Sequence, residues 1–298
     1  MFSIVPLICT LLAVGCGKGD GSAAGGNPDP DPGTVLQCDG TLVADGNDAD
    51  TYKLITRSGY NYETPDQSGE HAKSPYRHIR QHYDETLGKY VFDFILHIQN
   101  DDDRGKTNIT DRQRNEIKTD SKSPSDMVAQ EGETLQMSWL FCLPQGMKTT
   151  SKFSHIHQLK GIDNAAGTAD VSQPILTYTV RSVSGGQQFQ VLYNAPGASS
   201  EYLFRTDLAP FLGEWVRVVE TVKFARKGTL SLRIERVRDG SVLAELSGVE
   251  RDFRRDGAAG LRPKWGLYRN FGEGRSLADQ LRDETLMFAD FSIIKVKQ

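Results

Sequence analysis

From Tyr90 to the C-terminus the chain alternates apolar and polar residues with a period of two, and this pattern confines it to extended strands. Tyr90 to Gln99 sets Phe92, Phe94, Leu96 and Ile98 on one face. Leu135 to Cys142 sets Leu135, Met137, Trp139 and Phe141 against Gln136 and Ser138. Successive strand residues point to opposite faces, so each run offers one face to a core and the other to polar surroundings. The pattern recurs over 112–119, 152–160, 175–182, 187–194, 215–224, 229–237, 264–270 and 286–296. Ser184-Gly185-Gly186, Ala195-Pro196-Gly197, Lys227-Gly228 and Asp239-Gly240 punctuate these runs as turns. A helical period shows only weakly, over Ser276 to Arg282 and Tyr76 to Tyr83. Many short strands with regular turns predict two packed antiparallel sheets. In such a sandwich one sheet can curve, leaving its outer face as a groove.

The N-terminus is set apart. Phe2 to Val14 is almost wholly apolar, too short to span a bilayer comfortably. It runs into Leu12-Ala13-Val14-Gly15-Cys16, which resembles a bacterial lipobox. That resemblance implies export, lipidation at Cys16 and a lipid anchor at the outer membrane, cell surface or periplasm. Residues 17–34 are rich in Gly, Pro and Asp with no large apolar side chain, a flexible tether. The expected organisation is a signal over 1–16, a linker over 17–34 and one domain over 35–298, roughly 260 residues that a single large β-sandwich can use. Cys38 and Cys142 remain as an even pair in an oxidising compartment, so a disulfide between them is expected, with two buried thiols as the alternative. The net charge of −4 gives no general affinity for nucleic acid; a polyanion would need a local basic cleft.

Three runs place chemistry on one strand face. Arg114, Glu116 and Lys118 share a face, with Ile117 opposite. His155 and His157 share another, with Ile156 opposite, although Phe153 and Leu159 also fall on the histidine side. Lys264, Gly266 and Tyr268 share a third, with Trp265 and Leu267 turned away. Strict alternation sets Lys160 opposite His157, so it meets the groove only where the strand bends or ends.

Taken in order, Arg114-Asn115-Glu116-Ile117, His155-Ile156-His157 and Lys264-Trp265-Gly266-Leu267-Tyr268 resemble the jelly-roll polysaccharide lyases. The alginate-lyase type carries Arg-x-Glu-Leu, Gln-Ile-His and Lys-x-Gly-x-Tyr strands. The heparin-lyase-I, glucuronan-lyase and ulvan-lyase groups share the architecture. The resemblance covers roughly residues 88 to 296 and leaves 35–87 without a motif. It implies a β-jelly roll, a concanavalin-like sandwich with a concave substrate groove. It implies a monomeric enzyme acting on an anionic uronate polysaccharide by metal-free β-elimination. His155 stands where the alginate pattern has Gln, and Tyr268-Arg269-Asn270 where it has Tyr-Asn-Gln. Glucuronan or ulvan types are therefore expected before heparin type or alginate.

β-Elimination removes the C5 proton beside the uronate carboxylate and expels the oxygen on C4. It needs a cation for the carboxylate, a base and an acid. The expected division gives Tyr268 the acid role, with or without the base role. His157 is base or carboxylate neutraliser, Arg114 the bidentate carboxylate holder, and Lys264 the cation that favours the phenolate. His155, Glu116, Lys118, Lys160, Arg269 and Asn270 are expected along the substrate, with Glu116 orienting Arg114. No catalytic cofactor is expected. Asp101-Asp102-Asp103 is a secondary candidate for a structural calcium, against the plainer reading of an acidic turn. Two other functions compete. A glycoside hydrolase needs two carboxylates about 5–5.5 Å apart if it retains configuration, and no Glu-x-Asp-x-x-Glu run is present. A non-catalytic glycan-binding lipoprotein needs exposed aromatics, whereas Trp139, Trp215 and Trp265 alternate as core residues.

Overall fold

The inward faces of two antiparallel sheets meet over an aromatic core, and the strands that form them follow the alternation closely. The computed structural model describes residues 39–67, 77–106 and 108–297. Cys16, the signal, the linker and Cys38 lie outside the described residues. Among those described, the strands are β1 (Thr41–Leu42), β2 (Asn61–Glu63), β3 (Ile79–Asp84), β4 (Lys89–Leu96) and β5 (Arg112–Lys118). There follow β6 (Thr134–Cys142), β7 (Ser154–Ile162), β8 (Leu176–Val183), β9 (Gly186–Tyr193) and β10 (Glu201–Asp207). The last are β11 (Trp215–Lys223), β12 (Gly228–Arg236), β13 (Val242–Arg251), β14 (Gly260–Asn270) and β15 (Glu284–Val296). One sheet runs β13-β12-β11-β6-β15-β4-β3, with β1 on β15; the other runs β10-β9-β8-β7-β14-β5-β2. The segment over Tyr76 to Tyr83, weakly helical in pattern, contains strand β3, because pairing with β4 buries Ile79 and Gln81. The segment Ser276 to Arg282 forms only a short 3-10 turn, Ala278–Gln280. One short helix, α1 (Thr51–Arg57), buries Leu54 and Ile55.

The core explains the register. Met137, Trp139 and Phe141 of β6 face Trp265 and Leu267 of β14, and all are buried. Trp139 and Trp265 meet edge to face at 5.6 Å, and Trp265 meets Phe291 at 5.4 Å. Edge-to-face packing at this spacing adds to the area that the rings bury. Trp215 is also buried, so all three tryptophans are packed, as the alternation predicts. Cys142 carries a free, buried thiol against Val91, Leu140 and Trp215.

The second sheet departs from simple alternation on both sides of β7, and those slips decide the site. Pairing of β7 with β8 slips between His155 and His157, and pairing of β14 with β7 slips between Trp265 and Tyr268. A bulge of this kind re-aims every side chain beyond it. Ile156 and His157 both turn into the core, while His155, Gln158 and Lys160 turn outward. Gly266 sits at the slip with φ +140°, and a Cβ there would lie 2.1 Å from the Asn115 carbonyl oxygen, so only glycine fits.

Candidate active site

Strands β5, β14, β7 and β8 lie side by side, and their outward faces line a cavity of about 290 Å³. Tyr268 stands directly across from Arg114 on one side and His155 on the other. The Arg114 guanidinium carbon lies over the face of the Tyr268 ring, 3.6 Å from its centroid. Arg112 Nη1 donates to the Tyr268 hydroxyl at 2.9 Å. Asp111 aligns Arg112 through Nε (2.6 Å) and Nη2 (2.7 Å), and Asn270 Nδ2 donates to the same carboxylate at 2.6 Å. Asn270 therefore acts through Asp111 and Arg112 on Tyr268 rather than along the substrate.

Arg114 does not have the free fork expected of it. Its Nε and Nη2 donate to Asp103 (2.9 and 3.2 Å), and its Nη1 donates to Glu63 and Glu116 (2.9 Å each). With every nitrogen engaged on a protein carboxylate, it supports Tyr268 and is not placed to hold a substrate carboxylate. Lys264 is almost wholly buried and donates to Glu63 and to Glu116 Oε2. It lies four positions from Tyr268, a span of roughly 13 Å along an extended strand, so it is not the cation that acts on the phenol. Lys118 donates to Glu63 at 3.0 Å, and the Glu116 side chain is buried. Glu116, Lys118 and Lys264 thus form the packed end of the floor. Burial alone would raise Glu63, but Lys264, Arg114, Lys118 and Arg104 outweigh it and hold its carboxyl far below the usual range. Arg269 points to the face opposite Tyr268, fully buried, with Nε on Gln113 at 2.6 Å; it does not reach the cavity.

His157 is the largest displacement from expectation. It is fully buried between Trp139 (4.7 Å) and Trp265 (5.4 Å), with Nε2 3.4 Å from Glu220 of β11 in the facing sheet. Tyr178 donates to the same glutamate. His157 therefore ties the two sheets together, and His155 is the histidine in the cavity. His155 stacks on Phe153 at 4.3 Å, and its ring centroid is 6.1 Å from that of Tyr268. Its Nδ1 lies 2.7 Å from Thr179 Oγ1, which itself donates to Thr177 Oγ1 at 3.1 Å. Thr179 thus accepts Nδ1–H, leaving the lone pair on Nε2. Burial first, then the cations Arg181, Arg114, Lys264 and Lys160, bring His155 down to about 3, so it is neutral.

Burial raises Tyr268 above its ordinary value; Arg114 and Arg112 pull the other way without reversing it. The phenol is therefore protonated near neutrality, which corrects the expectation of a phenolate. The open cations lie on the β7–β8 side. Lys160 reaches the cavity because of the bulge, and its Nζ donates to the Ser172 carbonyl at 2.9 Å. Burial, then the charges of Lys264, Arg262 and Arg114, lower it to about 7. Arg181 lines the cavity with its Nε buried and lacking a partner among the described residues. The Thr177-x-Thr179-x-Arg181 alternation on β8, and Arg112 two before Arg114, are sequence signals that point to these residues. Glu63 and Asp103 carry no such signal. Asp101-Asp102-Asp103 is engaged internally: Asp103 on Arg104 and Arg114, Asp102 on the Gly105 amide (2.6 Å), Asp101 on His78 (3.0 Å).

The two-sheet architecture is similar to that of solved jelly-roll polysaccharide lyases. Among solved structures, a marine PL-14 alginate lyase from Aplysia kurodai aligns with a TM-score of 0.57 at 10% identity, covering 87% of this chain and 100% of that one. An alginate lyase of polysaccharide lyase family 7 aligns at 0.54 and 14% identity, covering 84% and 99%. An endo-β-1,4-glucuronan lyase from the fungus Trichoderma reesei aligns at 0.48 and 16% identity, covering 80% and 94%. No protein-family model and no curated protein matches the sequence.

Proposed function

We propose that this chain is a polysaccharide lyase cleaving a uronate-containing anionic glycan by β-elimination, with glucuronan- or ulvan-type polymers first and heparin-type or alginate polymers next. One observation carries the proposal. A protonated Tyr268 hydroxyl, fixed by Arg112 and Arg114, stands beside a neutral His155 in a cavity lined by cations. In this reading Arg181, diagonal to His155, takes the uronate carboxylate, which lowers the cost of carbanion character at C5, while Lys160, further along β7, meets a neighbouring part of the anionic polymer. His155 Nε2 removes the C5 proton, the C4–O bond breaks as the C4–C5 double bond forms, and Tyr268 gives its proton to the leaving oxygen. Proton return from His155 to Tyr268 through solvent restores the site. His155 is weakly basic in the empty cavity because of burial first and the cations second, and the substrate carboxylate offsets the cations.

The hydrolase alternative loses support here. No carboxylate lines the cavity among the described residues, and Glu63, Glu116 and Asp103 are spent on Arg114, Lys118 and Lys264. Export and a lipid anchor remain part of the proposal through the lipobox-like residues up to Cys16. The test is a screen of glucuronan, ulvan, heparin-type and alginate polymers, following the ultraviolet absorbance of an unsaturated uronate end. Tyr268→Phe should lower kcat by ~10²–10⁴-fold without changing the fold. Absence of unsaturated product from all four polymers, or full activity in Tyr268→Phe, would overturn the assignment. Binding without turnover would point to the glycan-binding alternative.

A further inference from the structure

The face of β5 turned away from Arg114 carries Gln113 and Asn115. Gln113 Nε2 donates to the backbone oxygens of His97 (3.0 Å) and Asp101 (3.2 Å), and Asn115 Nδ2 donates to that of His78 (2.8 Å). The three residues they fix converge. One ligand atom each from His78, His97 and Asp101 lie within 4.8 Å of one another. His78 Nε2 is 3.0 Å from Asp101 Oδ1, and His97 Nδ1 is 3.2 Å from Asp101 Oδ2. We propose that His78, His97 and Asp101 bind a divalent transition metal of the zinc class that braces the loop beneath the active site.

Three features argue for it. Two imidazole nitrogens and one carboxylate are a zinc-type donor set, whereas calcium takes six to eight oxygens. Tetrahedral bonds of about 2.0–2.1 Å set neighbouring ligand atoms about 3.3 Å apart; here the two nitrogens lie 3.0 and 3.2 Å from the two different oxygens of Asp101, so the carboxylate spans both imidazoles. The outer partners are also in place. Asp66 Oδ1 lies 2.6 Å from His78 Nδ1 and fixes the proton there, which leaves Nε2, facing Asp101 Oδ1 at 3.0 Å, as the nitrogen whose proton a metal would displace. Asp66 is held in turn by the Tyr52 hydroxyl and the His78 amide, and Asp101 Oδ2 accepts from the His97 amide at 2.6 Å. His78 and Asp101 are fully buried; the His97 side chain is 28% exposed and marks the side from which a metal and a water ligand enter. Where Nε2 of His78 carries a proton toward Asp101, the metal replaces it and the proton leaves to solvent.

The site stands independently of the lyase reading, yet it touches it. Asp101 is two residues from Asp103, which holds Arg114 under Tyr268. The test uses the full chain stripped with a chelator and titrated with zinc or cobalt(II), read by calorimetry, visible absorption and thermal melting. The expected result is one metal per chain, visible bands of tetrahedral cobalt and a rise in Tm with zinc. His97→Ala should lose more than ~100-fold in zinc affinity, and with it the zinc-dependent rise, while melting like the stripped wild type without metal. Asp66→Asn, which keeps all three ligands, should weaken zinc by ~10–100-fold. No metal uptake, or uptake undiminished in both variants, would overturn the site. In the first case the cluster is an imidazolium held between Asp66 and Asp101, and in the second the metal lies elsewhere.

Discussion

An anionic oligouronate should bind about tenfold more weakly at pH 8 than at pH 6, with most of the difference traceable to Lys160. Burial and the neighbouring cations bring Lys160 down from 10.5 to about 7 in the empty cavity. A bound carboxylate favours the charged form and raises that value. Above pH 7 the ligand must therefore recruit a proton as it binds. The dissociation constant then scales as one plus a power of ten in pH minus 7. That factor is ~1.1 at pH 6 and ~11 at pH 8, a tenfold change, or about 1.4 kcal/mol. His155, near 3, stays neutral across this window, and Tyr268, raised by burial, stays protonated. Arginine keeps its charge, so Lys160→Arg should flatten the profile. Lys264, lowered by burial to about 8, is still present in that variant, so any residual slope measures its share. Binding is measured by calorimetry in a Tyr268→Phe background, which prevents turnover, at constant ionic strength of about 0.15 M so that screening does not vary. An affinity independent of pH, or the same slope in Lys160→Arg, would refute the reasoning.

Arg181→Ala should lower kcat by ~10–100-fold as well as raising KM, because the cation stabilises the carbanion character at C5 and does more than bind the carboxylate; steady-state kinetics on the polymer that is cleaved decide it. His157→Ala should lower stability by about 2–4 kcal/mol in urea titrations while the folded fraction keeps its kcat, since it removes a packed ring and leaves Glu220 short of a partner. Glu63→Gln should cost more stability at pH 7 than at pH 4. The Glu63 pKa is depressed in the folded state, so its contribution is present above its unfolded value, about 4.5, and fades as pH falls below it. Equal losses at both pH values would count against that ion cluster.

Much of the floor was legible in the alternation. Arg114 does lie beside Tyr268, and Glu116 does contact Arg114, because β5 and β14 pair without a slip. What failed is local. A period of two assigns His155 and His157 to one face, and a one-residue slip undoes that assignment for everything after Ile156. Only Gly266 hints at it, and its meaning depends on the Asn115 carbonyl across the strand pair. The partners of Arg114 and Lys264 were illegible for a different reason. Glu63 comes from a three-residue edge strand and Asp103 from a loop, so their approach is set by tertiary packing rather than by any pattern in the chain.

That packing also settles where positive potential is available. Arg104, Arg114, Lys118 and Lys264 are met by Glu63, Glu116 and Asp103, so this end of the floor is largely neutralised from within. A buried ion cluster of this kind fixes geometry better than it attracts a ligand, because its charges already face one another. Of the open cations, Arg181 on β8 lies beyond His155 from Tyr268, and Lys160 lies further along β7, across from Arg262. On the proposed lyase reading, a uronate held by Arg181 sets its carboxylate toward β8 and its glycosidic oxygen toward β14. His155, on the strand between, then faces the C5 proton. The order of strands in the sheet thus gives the order of groups along the sugar: carboxylate holder, base, acid.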